Sequence, residues 1–342
     1  MLRARIGNLL ERGLDQLQYR RASGKPNQIH LSVTDRCFLP CLHCDIWKNE
    51  AVDLPKQDWL DVIDELGKWC APAGMNFVGG EPLLRSDLEE LIQRAKYWGF
   101  QTSFNTNGWL VTEKRARSLA ESGVDLVYVS LDGLEKETID HSRGRAGSFE
   151  KAMEAISYFL EQSGLQVMVA SVLHARNAAE FPRLLDWVEQ RDMRLVLQPL
   201  YQNFGENEYE ADWWKSSELW WNTETELEII EQTLDYLTVA RMRGRGICND
   251  AKQLQAMKFH FRHPAQDTGA SCRAGHSDLS FDPQGNIRLC YFLEPVGHIH
   301  DETSIAWLWE RRTTLRRRWE VSRCDRHCSL LNCNFETNNT NK

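Results

Sequence analysis

No stretch of the chain approaches the ~20 consecutive apolar residues that a membrane-crossing helix needs, so no membrane partner is expected. The opening Met1-Leu2-Arg3-Ala4-Arg5 is basic but lacks an uninterrupted apolar core, which excludes a secretory signal. Residues 2–19 read instead as a short amphipathic helix, and the protein as cytoplasmic. Positive charge is in deficit: Lys+Arg number 41 against 49 Asp+Glu, a net −8, so no global field recommends a nucleic-acid partner. Pro (10) and Gly (21) are too sparse in 342 residues for a collagenous or low-complexity chain. There is no repeat of 20–50 residues. Only 28 residues precede the first strand, too few for a separate peptide-binding domain.

Cysteine, by contrast, is present ten times. Structural disulfides are rare in a reducing compartment, so clustered thiols point to metal or catalysis. Cys37, Cys41 and Cys44 form one group; Cys272, Cys290, Cys324, Cys328 and Cys333 form another. Cys70 lies in an amphipathic stretch with Trp59, Leu66 and Trp69 and reads as a core thiol, while Cys248 is unassigned.

From residue 29 the hydrophobic period alternates between strand and helix. Strands are expected at His30–Val33, Met75–Val78, Gln101–Phe104, Leu126–Ser130, Gln166–Val172 and Arg194–Gln198, with helices between them. That alternation is the signature of βαβ units around a parallel sheet, which right-handed crossovers curl into a barrel or partial barrel. Gly74, Gly99, Gly123 and Gly164 each follow a helix and precede a strand, where a left-handed cap suits glycine. After Gln198 the alternation stops. Residues 201–268 form an acidic, Trp-rich and helical connector, in which the tryptophans of 209–221 read as interdomain packing, as a lid or as a peptide-docking surface. From Gly269 the chain becomes turn-rich and cysteine-punctuated, so residues 269–336 are expected to form a second unit before the polar tail 337–342.

The spacing C-x3-C-x2-C sits directly after the first strand, at the strand end where parallel α/β folds collect their active sites. Three thiolates within eight residues can ligate three corners of one soft-metal centre and leave a fourth position open. A structural zinc closed by His43 or a distant ligand is the alternative. The next strand ends are equally polar. Gly79-Gly80-Glu81-Pro82 follows the second, its glycines allowing close backbone approach and Glu81 a carboxylate suited to an ammonium group. Asn105-Thr106-Asn107-Gly108 ends the third and Ser130-Leu131-Asp132-Gly133 the fourth, both suited to ribose hydroxyls.

On these residues the chain resembles the radical S-adenosylmethionine (SAM) superfamily over roughly residues 29–200 and the cysteine-rich C-terminus. The resemblance implies an α/β fold, a partial (β/α)6 TIM-type barrel, with a [4Fe–4S] cluster on Cys37, Cys41 and Cys44. It implies that Gly79, Gly80, Glu81 and Pro82 border the methionine end of S-adenosylmethionine, and that Asn105, Thr106 and Ser130 line the nucleoside. Arg143-Gly144 with Gly147-Ser148-Phe149 matches the family's RG…GSF segment, where the arginine helps hold the cofactor or nearby carboxylates, and Asn177 matches a recurring asparagine. Phe38 departs from the asparagine often found after the first cysteine.

In the second group, C-x12-G-x4-C from Cys272 to Cys290 reads as a hairpin with one thiol on each arm, and C-x3-C-x4-C follows at Cys324, Cys328 and Cys333. This is similar to the auxiliary-cluster extensions called SPASM when complete and twitch when shortened. Five cysteines imply one auxiliary [4Fe–4S] cluster on Cys272, Cys290 and two of the last three, with a second, incomplete cluster or a structural zinc as alternatives. His276, His298, His300 and His327 are expected to be ordinary polar residues, and Arg311-Arg312 with Arg316-Arg317-Arg318 a solvated helix face that an electron donor can meet. The resemblance implies reductive cleavage of S-adenosylmethionine, hydrogen abstraction from substrate, and a low-potential electron donor of the flavodoxin or ferredoxin type. A peptide or protein substrate is the leading expectation; a small metabolite, dehydrogenated, is the alternative, and a non-catalytic metal-binding protein the third. Glu206, Asp212, Asp278 and Asp282 are candidates for a general base without geometry to choose between them.

Overall fold

A computed structural model describes residues 24–50, 52–205 and 209–335. The expected helix over 2–19, Glu206 and the tail 337–342 lie outside the described residues. Six βα units come first: β1 (Gln28–Thr34), α1 (Lys56–Cys70), β2 (Gly74–Gly79), α2 (Leu88–Tyr97), β3 (Gln101–Thr106), α3 (Glu113–Glu121), β4 (Leu126–Ser130), α4 (Lys136–Ser142), α5 (Ser148–Leu160), β5 (Gln166–Leu173), α6 (Phe181–Glu189) and β6 (Arg194–Pro199). Then follow α7 (Glu224–Met242), α8 (Ala251–Arg262), β7 (Asp278–Phe281), β8 (Asn286–Arg288), β9 (Gly297–His298), α9 (Ile305–Glu310) and α10 (Arg312–Val321).

Strands β1 to β6 pair in parallel and in sequence, as expected of a partial barrel. Each strand divides its side chains by parity. One face carries Ile29, Leu31, Val33, Met75, Phe77, Phe104, Val127 and Val129, fully buried against the helical layer. The other carries His30, Ser32, Asn76, Ser103, Asn105, Tyr128 and Ser130, which are small or polar and line a cavity. A barrel interior filled with branched aliphatics would close; this one stays open.

Residues 269–335 extend the same sheet. Strand β7 pairs in parallel with β1, aligning Gln28 with Asp278 and Leu31 with Phe281, and β8 and β9 continue antiparallel, giving nine strands in the order β6-β5-β4-β3-β2-β1-β7-β8-β9. Helix α9 packs on α1 through Trp309 against Trp69, with ring centroids 6.1 Å apart, and Ile305 N–H donates to Glu65 at 2.6 Å.

Several local expectations differ from the structure. Gly99, Gly123 and Gly164 have positive φ, as expected, but Gly74 does not. It opens β2, and its missing Cβ leaves room for the Gln28 carboxamide, which would stand 2.2 Å away. Within the connector α8 is a second helix after α7, started by Asp250, which accepts from Lys252 N–H at 2.8 Å. Arg318 does not face solvent. Its Nε donates to the Gly275 carbonyl at 2.6 Å, its Nη2 to the Trp309 carbonyl at 2.9 Å, and the guanidinium stacks on Trp309. In the connector, Trp213 and Trp220 are buried around His260 and Phe261, which is packing rather than a lid. Cys70 is a core thiol. Among the described residues no helix is long and apolar enough to cross a membrane.

Candidate active site

The first cysteine loop is held by backbone before its thiols are considered. Thr34 C=O accepts Gly80 N–H at 2.8 Å, and Arg36 C=O accepts Glu81 N–H at 2.9 Å, so the loop after β1 is laced to the loop after β2. Contact this close needs glycine: a Cβ on Gly80 would stand 2.4 Å from Arg36 O, and Gly79 has φ of 133°. Leu42 N–H donates to Ser142 C=O at 2.9 Å and ties the loop to α4. Cys37, Cys41 and Cys44 all open onto one cavity of about 1470 Å3 that runs down the barrel lumen.

Burial raises all three thiols above their ordinary pKa, Cys44 to about 12. Arg143 opposes this at Cys41, to which it also hydrogen-bonds. Thiols so reluctant to ionise load metal only by releasing protons, so loading is favoured by higher pH. Asn107 Nδ2 donates to Cys37 Sγ at 3.9 Å, a second polarising contact.

Among the described residues no three His, Cys, Asp or Glu side chains converge closely enough to share one metal ion. A tetrahedral zinc needs four donors about 2.0–2.3 Å from a single point. A polynuclear cluster spreads its thiolates around its own bulk, which the open cysteine loop and its cavity accommodate.

The other expected residues are placed as follows. Gly79, Gly80, Asn105, Thr106, Ser130 and Arg143 line the cavity. Asn105 Oδ1 is buried without a partner, an acceptor free for a ligand. Glu81 and Pro82 are buried, and Glu81 is turned inward. Its carboxylate accepts from Leu83 N–H at 3.1 Å, Thr106 Oγ1 at 3.0 Å and Asn107 N–H at 2.8 Å, so it organises the strand-end loops. Burial pushes its pKa up to about 7 against these hydrogen bonds. Arg143 forms a 2.7 Å ion pair with Asp132. Burial alone would raise the Asp132 pKa, but Arg143 and its neighbours hold it below the usual range. Asn177 serves the scaffold, donating to Asp132 C=O at 2.7 Å and Val172 C=O at 2.8 Å. Phe38 meets Trp109 edge-on, and Arg145 stacks over both rings.

Cys272, Cys290, Cys324, Cys328 and Cys333 line the same cavity. Burial raises Cys272 to about 12 and Cys333 to about 11, and also raises Cys290 and Cys328; Cys290 and Cys324 lie near enough to Cys272 and Cys328 to add to the shift electrostatically. Cys272 bridges to Phe335 in antiparallel pairing, and Asn334 Nδ2 donates to Cys328 C=O at 2.9 Å. Cys248 stands apart, its N–H on Leu195 C=O at 2.8 Å.

Of the acid/base candidates, Asp212 pairs with Lys215 away from the cavity. Asp278 and Asp282 line it, but both are engaged: Asp278 with His30 at 3.4 Å and Arg273 at 3.2 Å, Asp282 with Arg288 at 2.8 Å. The lumen set of His30, Asn76, Ser103 and Tyr128, and Asp35 and Tyr291 at its mouth, did not emerge from motifs. For the lumen set the signal lies in alternation along the strands: His30 and Ser32 on β1, Asn76 on β2, Ser103 and Asn105 on β3, and Tyr128 and Ser130 on β4.

Comparison with known proteins follows this geometry. Residues 31–188 match the model of the Radical SAM superfamily. The chain is 34% identical over 165 residues to Fe-coproporphyrin III synthase of Methanosarcina barkeri, covering 46% of this chain and 40% of that protein. It is 25% identical over 291 residues to PqqA peptide cyclase of Rhizobium meliloti, covering 83% and 73%. The chain spans about half the length of the curated relatives it matches over the barrel segment. Its fold is that of Streptococcus suis SuiB bound to S-adenosylmethionine, with a TM-score of 0.68 at 15% identity over 88% of this chain and 69% of that one.

Proposed function

We propose, from the premise that this chain carries a radical SAM domain over residues 31–188, that it reductively cleaves S-adenosylmethionine and abstracts a hydrogen from a peptide or protein substrate. The observation that carries this reading is the single cavity shared by Cys37, Cys41, Cys44 and the five C-terminal cysteines. When bound, a [4Fe–4S] cluster and S-adenosylmethionine supply one-electron cleavage of a sulfonium S–C bond and the hydrogen abstraction that follows.

The chain's own residues supply the rest. Cys37, Cys41 and Cys44 hold the cluster, and Arg143 steadies the Cys41 thiolate while neutralising Asp132. The Gly79–Gly80 backbone keeps that loop in register, and Asn105 and Ser130 offer polar groups to the nucleoside. The lumen below, walled by strands and by β7, orients substrate and excludes bulk water. Cys272 and Cys290, with two of Cys324, Cys328 and Cys333, hold one auxiliary [4Fe–4S] cluster. The electron comes from a low-potential protein of the flavodoxin or ferredoxin type, and the reaction belongs to the reducing cytoplasm.

Similarity over most of the chain to a peptide cyclase favours the peptide substrate. The 34% identity to a coproporphyrin synthase makes a small metabolite of tetrapyrrole class the second reading. Anaerobic reconstitution followed by 5′-deoxyadenosine assay tests the common core. Cys37→Ala should abolish formation of this product, and Cys272→Ala should leave abortive cleavage partly intact. Equal, wild-type yields from both variants would overturn the assignment. Incubation with peptides encoded beside the gene, against porphyrin substrates, separates the two readings.

A further inference from the structure

Strand β6 ends the sheet, and a short segment pairs its outer edge at one point: Leu195 N–H donates to Gly246 C=O at 2.9 Å and Leu195 C=O accepts Cys248 N–H at 2.8 Å. At Leu197 a side chain takes the place of a neighbouring strand. Asn249 Oδ1 accepts Leu197 N–H at 2.7 Å while Asn249 Nδ2 donates to Leu197 C=O at 2.8 Å, a reciprocal pair like that of a β-ladder. The same carboxamide passes the pairing on. Asn249 Nδ2 reaches Asn332 Oδ1 at 2.9 Å, and Asn332 Nδ2 returns to Leu197 C=O at 2.6 Å.

Asn332 lies between Cys328 and Cys333 and immediately before the latter. Gln253, on the first turns of α8, locks it from the other side, donating to Asn332 Oδ1 at 2.9 Å and to Leu330 C=O at 2.8 Å. Asn332 N–H also donates to Gln198 Oε1 at 3.0 Å, and Gln198 lines the lumen. Asn249 and Gln253 are buried. A buried amide network satisfied at this many points fixes one geometry and is costly to break. On its other side the 328–335 segment is held by its own turns, by the β-pairing of Cys272 with Phe335, and by Arg273, whose N–H donates to Asn334 C=O at 2.8 Å and whose Nε donates to Cys333 C=O at 3.3 Å.

We infer that Asn249, Gln253 and Asn332 form a carboxamide clamp that positions the Cys328–Cys333 segment against the last barrel strand, and so sets the environment of the auxiliary cluster relative to the lumen. These are positioning residues, not ligands. The inference rests on the proposed auxiliary cluster and adds what holds it in place. Its chemistry is specific. A carboxylate at Asn249 would still accept from Leu197 N–H, but would face the oxygens of Leu197, Gln253 and Asn332 with no proton to offer.

The test uses the full chain, reconstituted anaerobically with iron and sulfide, in a Cys37→Ala/Cys41→Ala/Cys44→Ala background that isolates the C-terminal centre. Iron content, the electron paramagnetic resonance spectrum of the reduced centre and its midpoint potential are compared among the background, Asn332→Ala, Gln253→Ala and Asn249→Asp. The clamp predicts a changed spectrum and a displaced midpoint in Gln253→Ala. It predicts a larger change or loss of the iron in Asn332→Ala and Asn249→Asp. In the otherwise unchanged chain, Asn332→Ala should then lose at most half of its iron, since the N-terminal set stays loaded. Spectra and midpoints indistinguishable from the background in all three variants would overturn the clamp alone. A background protein that takes up no iron would overturn both the clamp and the auxiliary cluster it serves.

Discussion

Asp132 and Arg143 show how much of this site is electrostatic engineering behind the cysteines. Both are nearly inaccessible, and each is tolerable in that place only because of the other. Arg143→Met should leave a buried, uncompensated carboxylate and cost about 3–5 kcal/mol in urea unfolding. Asp132→Asn combined with Arg143→Met should recover part of that loss, a coupling that a double-mutant cycle reads directly. Two histidines flank the pair. His174 is fully buried with neither ring nitrogen hydrogen-bonded, and burial, then repulsion from His43 and Arg143, overrides the attraction of Asp132 and lowers its pKa to about 3. The sign follows. The unfolded chain takes up this proton near pH 6.5 and the folded chain does not, so stability is complete above 6.5 and falls as pH drops toward 3. Each such group contributes a slope of up to about 1.4 kcal/mol per pH unit. His174→Gln should flatten the fall of the urea midpoint between pH 6.5 and 4.5 relative to the parent; an unchanged slope would remove His174 from the account.

At the level of elements, the loops after β1 and β2 behave as one unit. Gly80→Ala places a Cβ 2.4 Å from a backbone oxygen that cannot swing away, so the Cys37 loop itself must shift. Iron uptake by the variant should fall severalfold while far-ultraviolet circular dichroism stays close to the parent, because the strain is local. Gly99→Ala is the contrast: nothing lies within 4 Å of its Cβ, and only the φ of 83° is strained. Its cost should be about 1 kcal/mol of stability with normal iron uptake. The six βα units were legible because period-two and period-3.6 patterns survive in the buried face of each element, as in Ile29, Leu31 and Val33. The shared loop of Cys37, Cys41 and Cys44 was legible because thiols close in sequence leave a spacing. The inward turn of Glu81 was not legible: a carboxylate after two glycines reads the same whether it meets a ligand or the N–H of Asn107. Nor was the clamp, whose members lie 52 to 135 residues from their partners on β6. The burial of Arg318 was hidden for a different reason. Its run of arginines is solvated on one side, and the turn inward is made by partners remote in sequence, among them the carbonyls of Gly275 and Trp309 and the Trp309 ring.

For the molecule as a whole, the decisive feature is that β7 lies beside β1. The cysteine-rich segment is not appended to a finished barrel; it supplies the neighbour of the barrel's first strand, and that strand carries the Thr34–Cys44 loop. Two consequences follow from edge physics. Without residues 269–335, β1 would present unpaired backbone over Gln28–Leu31, beside the buried positions now filled by Leu279, Phe281, Leu308 and Trp309. The lumen would also lose the wall formed by Asp278 and Ser280, and water would reach the cysteine loop from the side. A fragment ending at residue 268 should therefore express as aggregate. If solubilised, it should lose its iron in air many times faster than the full chain, as followed by bleaching of the visible cluster absorbance. A soluble fragment with full-chain bleaching kinetics would mean that the barrel shelters its own cluster. The intact chain makes the complementary prediction. Since Cys272 and Cys290 bracket β7, which pairs with β1, and β8, which pairs with β7, loading the C-terminal cysteines should raise the unfolding midpoint of the barrel as well. Iron removal with chelator under reducing conditions should lower that midpoint in a single transition, because one sheet runs through both cysteine sets.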